Sequence, residues 1–246
     1  QFVNDEEKAL AFTKEFLRLD KLEFTKNRIT YFPDHSSLRF YTNINSDTYP
    51  DVENRYKVFS IIESLDHPIR DEYFHIVQNV ARSVLNQAWG EGDVHFSSGF
   101  ATMIADFAAE ETNVDIHEIT ANLIKSGESV PFAEVFRLGK DEIPSREDKL
   151  QIETASFLKF LLSSYSFEKI ASLYQKLSRA ENGKEKIELF DDGLYLKDFK
   201  FLQRSWVEEL AFKYGISDVI KEESDIIDLF LAQSESIINN IVSGGR

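Results

Sequence analysis

The chain contains no cysteine. Disulfides, thiolate zinc sites and cysteine nucleophiles are therefore excluded, and a bound metal would have to draw its ligands from histidine and carboxylates. Positive charge is also scarce: 28 Lys and Arg stand against 43 Asp and Glu, for a formal net charge of -15. A sequence-independent grip on nucleic acid needs clustered Lys and Arg to displace phosphate counterions, so no nucleic-acid partner is expected. The same field disfavours anionic membranes. No apolar run approaches the roughly 18 to 20 residues that span a bilayer, and patches such as FLKFLL are core-sized. The opening QFVNDEEKAL has neither the basic start nor the apolar stretch of a signal peptide. A first residue Gln1, with no cysteine anywhere, suits an exported protein, periplasmic or extracellular, whose leader has been removed. It suits equally a chain cut at that point. Gly-rich phosphate loops, G-x-S-x-G elbows and dinucleotide fingerprints are missing too.

What is present is a chain of 246 residues, 42% hydrophobic, which can bury a substantial core. A single domain over 1–246 is the expectation, with 1–65 as an N-terminal portion and 66–246 as a mainly helical part. NDEEKALAFTKEFLRL (4–19) has helical apolar spacing and acids in its first turn. RITYFPDHSSLRFYTN (28–43) alternates β-branched and aromatic residues around a Pro-Asp-His-Ser-Ser turn and predicts a β-hairpin. TNINSDTYPD reads as a loop and VENRYKVFSIIESL as a helix. Asp66 and Pro68 signal the start of a helix through RDEYFHIVQNVARSVLNQA, which WGEGD breaks. Further helices are expected from Ser97 or Ser98, over DIHEITANLIKS up to Gly127, and twice within 150–180 with a break near Ser163 to Ser166. NGKEKIELFDDG reads as a polar connection, and two more helices cover LKDFKFLQRSWVEELAFKYG and 222–242. The predicted fold class is α+β, predominantly α.

The segment RDEYFHIVQ (70–78) carries the candidate chemistry. Asp71, Glu72 and His75 have the spacing of H-E-x-x-H with an aspartate in place of the first histidine. Further on, HFSSGFATM (95–103), VPFAEVF (130–136), ASFLKFLLSSYSFEKI (155–170) and FLQRSWVEEL (201–210) follow in order. From Asp66 onward this succession resembles the gluzincin, or peptidase MA-like, metallopeptidases, over about 150 residues. That family has an H-E-x-x-H helix, then a W-F-x-E-G-x-A-x-Y type segment whose Glu is the third zinc ligand. The resemblance implies a zincin-like helical part behind a small N-terminal β portion.

The ligand positions depart from the pattern. Glu72, the general base, and His75, the second ligand, are kept; the first ligand has become Asp71, and the third-ligand Glu has become Ser98. Residues i and i+4 share a helix face, so two histidines there hold one Zn²⁺ while the adjacent Glu reaches the metal-bound water. A catalytic site needs three protein ligands and an open position for water. Asp71 retains an oxygen ligand of shorter reach, whereas a neutral serine hydroxyl is a poor zinc ligand. His95 is a rescue candidate for an Asp71, His75, His95 set. His67 is not, because i and i+8 lie about 12 Å apart along a helix.

Three functional readings follow. The first is a catalytically inactive, peptidase-like protein that binds a peptide or protein partner and needs no cofactor. The second is an active metallohydrolase with zinc on Asp71, His75 and His95 and with Glu72 as base. The third drops the family: an acidic helical interaction module that meets a basic partner. Ordinary readings stand beside these. Acids belong in a first helical turn, and His75 next to Ile76 suits a half-buried, hydrogen-bonded histidine. HEIT (117–120) lacks a second histidine and reads as surface helix, His35 as a solvated turn residue and His67 as a helix-start residue. Trp89, Trp206 and the phenylalanines read as core, and KEESD (221–225) as a solvated face.

Overall fold

The structure, a computed structural model, describes residues 2–19, 28–32, 48–50, 57–61, 72–90, 93–109, 114–138, 147–177, 179–194, 199–215 and 220–244. Among these residues the chain is predominantly α, with ten helices. It divides into two compact units: residues 1–91 with 100–114, and residues 92–99 with 115–246.

In the first unit, α1 (Phe2–Phe16) buries Ala9, Thr13 and, just past its end, Leu17, one side of a helix at four-residue spacing. Phe16 of α1 meets Phe107 at a ring distance of 5.2 Å. Three short strands form a sheet ordered β1-β3-β2: β1 (Arg28–Phe32), β2 (Thr48–Pro50) and β3 (Lys57–Ile61). β3 runs parallel to β1, with Arg28 opposite Lys57, and antiparallel to β2, with Thr48 opposite Ser60.

This sheet corrects two expectations. The helix predicted over 52–65 is a strand at 57–61, because a central strand gains backbone ladders on both sides and KVFSI is rich in residues that suit a pleated surface. The loop predicted over 42–51 contains β2, whose terminal Pro50 is tolerated on an edge strand. The first arm of the predicted hairpin is β1, whose described partner is the parallel β3; the second arm lies outside the described residues.

α2 (Glu72–Trp89) turns Phe74, Val77, Ala81, Val84 and Leu85 into the core of the first unit. α3 (Val94–Ala108) follows; from Phe100 onward it belongs to that unit, and it buries Phe100, Ala101, Ile104 and Ala105. The ring of Phe100 stands edge-on to Trp89 at 5.5 Å.

The second unit holds the first turns of α3 together with α4 (Ile116–Lys125), α5 (Glu134–Arg137), α6 (Glu147–Ser164), α7 (Phe167–Leu177), α8 (Gly183–Leu194), α9 (Phe199–Lys213) and α10 (Ile220–Val242). α4 has the limits its caps dictate. Asp115 accepts from the His117 N–H at the start, and Gly127 takes a positive φ of 69° just past the end.

The core of this unit is aromatic. Phe132, Phe136, Phe157, Phe190, Phe199 and Trp206 are all fully buried, and Phe157 meets Phe132 at 4.6 Å and Trp206 at 5.3 Å. Burial of each such ring contributes about 1.5–3 kcal/mol. NGKEKIELFDDG, predicted as a polar connection, forms most of α8: Lys186, Ile187 and Phe190 fall on one helical side and are buried, which outweighs the polar composition of the rest. Among the described residues, no helix is long and apolar enough to cross a membrane.

Candidate functional site

Of the residues weighed as metal ligands, His75 falls on α2 and His95 and Ser98 on the first turns of α3. Asp71, His35 and His67 lie outside the described residues, and of Glu72 only the backbone, as the first residue of α2, is described. His75 sits on the first turn of α2, half-buried, with its ring edge-on to Phe74 at 5.7 Å. Phe74 turns fully into the core, so the neighbouring imidazole is carried to the border of the buried face.

The start of α3 is built around Asp93. Its Oδ1 accepts from the backbone N–H groups of His95 and Phe96, both at 3.1 Å, and so caps the helix. That cap places the first helical residue at Val94, a turn ahead of the start expected at Ser97 or Ser98. Asp93 Oδ2 accepts from the Lys186 ammonium at 2.5 Å, and the same ammonium donates to the carbonyls of Val135 (3.1 Å) and Leu138 (3.2 Å). Three donor hydrogens thus meet three acceptors, with both charged side chains buried. Ninety-three residues separate the two partners, and nothing in the local sequence announces the pairing.

Two residues of this helix start are the expected ligand positions, and a third sets its packing. Ser98 is buried and donates its hydroxyl proton to the Val94 carbonyl at 2.6 Å, a bond inside its own helix. His95 is buried, and among the described residues its Nε2 has no hydrogen-bond partner. Gly99 touches α6: a Cβ there would lie 2.2 Å from Thr154 Cγ2, so only glycine permits the two helices to approach so closely. Tyr174 of α7 completes the fit by donating to Ser97 Oγ at 3.0 Å. Within the second unit His95 and Ser98 therefore share the opening turns of α3, while His75 belongs to the first unit. Among the described residues, no group of three His, Asp or Glu side chains is placed to hold a metal ion.

A second polar cluster joins α4, α6 and α9, and it corrects the reading of HEIT as surface helix. Glu118 is exposed, but His117 is buried, because the apolar side of α4 that packs on α6 includes its position. Trp206 Nε1 donates to Ser156 Oγ at 3.1 Å, and Ser156 Oγ lies 2.8 Å from His117 Nδ1. The serine oxygen, already accepting from tryptophan, keeps a second lone pair and its own proton, so it donates to Nδ1 in one imidazole tautomer and accepts from it in the other. Burial first, then Lys159, push His117 down to about 4, against the opposing pull of Asp115. Asp115 also accepts from Tyr214 Oη at 2.6 Å. Burial pushes the Asp115 carboxyl up, but the Tyr214 bond, Lys159, the His117 N–H and Lys213 together hold it below the ordinary carboxylate range.

A serine hydroxyl within reach of a neutral histidine is the pairing that nucleophilic catalysis uses. Here Ser156 is fully buried in mid-helix and already bonded by Trp206, so the trio clasps three helices instead of meeting a substrate. One turn away, Glu153 is fully buried; its Oε1 accepts from the Val130 N–H at 2.7 Å, and Oε2 has no partner among the described residues. Burial raises its carboxyl well above the usual range, against the smaller opposing effects of that N–H and Lys149. The sequence gives no hint of this acid, which is embedded in an apolar helix.

The first unit is polar inside as well. Gln78 donates to Thr102 Oγ1 at 2.6 Å, and Arg82 and Asp106, of opposite charge, are both buried there. Gln78, Arg82 and Asn86 recur at helical spacing on α2, a pattern visible in the sequence but indistinguishable there from a solvated face. No protein-family model, curated protein or solved structure matches this chain.

Proposed function

We propose that the chain is a catalytically inactive relative of the gluzincin metallopeptidases, an α+β, zincin-like protein that has given up its zinc and binds a peptide or protein partner. The observation that carries this reading is Ser98. It stands where the family's third ligand would be, buried, with its hydroxyl proton committed to the Val94 carbonyl. A neutral hydroxyl engaged in its own helix contributes neither the charge nor the lone-pair strength that a zinc site needs. The aspartate at position 71 weakens the first ligand position in the same direction.

The test is elemental analysis of protein purified without chelators. Sub-stoichiometric zinc is expected in the native chain, and stoichiometric zinc in the Asp71→His, Ser98→Glu double variant. One tightly held equivalent in the native chain, lost on His75→Ala, would overturn the reading.

One observation favours the alternative of an active metallohydrolase. His95 Nε2 is a buried lone pair or N–H with no partner among the described residues, and such atoms call for a reason. That alternative expects chelator-sensitive cleavage of a peptide library, abolished by Glu72→Gln.

A further inference from the structure

We propose that the solvent-facing side of α9 is a self-association surface on which a second copy of this chain docks its own α9 in antiparallel orientation. One side of the helix is spent on the core, through Leu202, Trp206, Val207 and Leu210. The other side carries Phe201 and Phe212, 63% and 86% exposed. Eleven residues apart, they lie within about 20° of one line along the helix and about 16 Å from each other. Glu208 sits close to that line between them, with Arg204 about 60° to one side, and both are exposed. Large aromatics left in water along one helix line, with a charge of each sign between them, give that side both apolar area and charges to match against a partner.

The order of these residues identifies the occupant. A two-fold axis passing between Trp206 and Val207 sets each Phe201 against the second copy's Phe212. It also sets each Arg204 beside the second copy's Glu208, on the same side of the stripe. An isologous interface requires this self-complementarity.

The same operation brings Lys200 towards the second copy's Lys213, but both lie about 100° or more off the stripe. Each also has a partner on its own chain: Lys200 Nζ donates to Asn239 Oδ1 at 3.2 Å, and Lys213 Nζ stands 4.9 Å from the Tyr214 ring centre. A strongly basic foreign partner has no comparable fit, since the stripe holds one cation and one anion and not an excess of acid. Covering the exposed parts of four phenylalanines per dimer, at most about 150–250 Å² each, falls short of the roughly 1,200 Å² of a stable interface, so a weak, transient dimer is expected.

Sedimentation velocity of the full chain across a micromolar concentration series tests this. A monomer–dimer equilibrium is expected. Arg204→Glu and Glu208→Arg should each weaken it by about tenfold or more, by placing like charges side by side. The Arg204→Glu, Glu208→Arg double variant should regain it, and Phe212→Ser should abolish it. All the substituted side chains are exposed, and far-UV circular dichroism confirms that each variant is folded. A chain monomeric throughout the series overturns the proposal. So does a dimer indifferent to Phe212→Ser or to the single charge reversals, or a folded double variant that stays monomeric.

Discussion

Replacing Lys186 by methionine should be among the most damaging single changes in the second unit. The ammonium is one side of a buried pair in which Lys186 is 5% and Asp93 1% exposed, so water does not take over when it is removed. Three acceptors are left behind: Asp93 Oδ2 and the carbonyls of Val135 and Leu138. Methionine nearly preserves the volume, so the packing loss is small and the electrostatic loss dominates. Breaking a buried ion pair from one side costs about 3–5 kcal/mol, a large share of the roughly 5–15 kcal/mol that holds a domain folded.

The chain has two tryptophans, of which Trp206 is fully buried in the second unit. Urea unfolding followed by Trp206 fluorescence in a Trp89→Phe background therefore reports on the right part. The midpoint should fall with little change in slope. Adding Asp93→Asn to Lys186→Met should recover part of the loss, because an asparagine oxygen can still cap His95 and Phe96 and no charge is left buried. A Lys186→Met cost below about 1 kcal/mol, or an Asp93→Asn change that only adds to the damage, would refute the reasoning.

Gly99→Ala should destabilise the second unit by about 1–3 kcal/mol or more, since the new methyl would lie 2.2 Å from Thr154 Cγ2; Thr154→Ala removes that atom and should recover part of the loss in the same urea assay. His117 should make the second unit acid-sensitive. Its folded value of about 4 lies below the ordinary 6.5, so its contribution is present above 6.5 and is lost as pH falls towards 4, by about 3 kcal/mol. His117→Asn should flatten that limb, and an unchanged limb would count against it. Glu153 acts with the opposite sign: its raised value means that its contribution is complete below about 4.5 and is lost as pH rises. Glu153→Gln should therefore gain in stability relative to the native chain from acid to neutral pH. Finally, a chelator should leave the thermal unfolding curve unchanged under the zinc-free reading, whereas a resident metal would lower the transition on removal.

The sequence was legible where local chemistry decides and opaque where distant partners do. Asp115 and Gly127 bracket α4, and the polar break at Ser163 to Ser166 separates α6 from α7, because caps and breakers act within a few residues. KVFSI is ambiguous by itself because a short apolar run suits helix and strand equally, and pairing with β1 and β2 decides it. KEKIELF looks like a connection because Lys186 counts as polar in any composition, yet it is buried against Asp93. The same limit applies at the candidate site. That the Ser98 hydroxyl bonds to Val94 follows only from helix geometry, and that His117 is buried follows only from the packing of α4 on α6.

These particulars bear on what a peptidase-like scaffold without zinc would need. In a metal enzyme, ligand-bearing segments are held partly by the ion, and binding free energy is also folding free energy. A chain that has lost the ion must hold the same segments by other means or let them fray. The start of α3 is held by the Asp93 cap, the Lys186 ammonium spread over three acceptors, the close approach of Gly99 to Thr154, and the Tyr174 hydroxyl on Ser97. None of them uses Ser98, and none requires a cation other than Lys186. Under the proposed reading the helix that once presented a zinc ligand is therefore kept in place by internal polar bonds, which leaves its neighbourhood free to be selected for binding and not for catalysis.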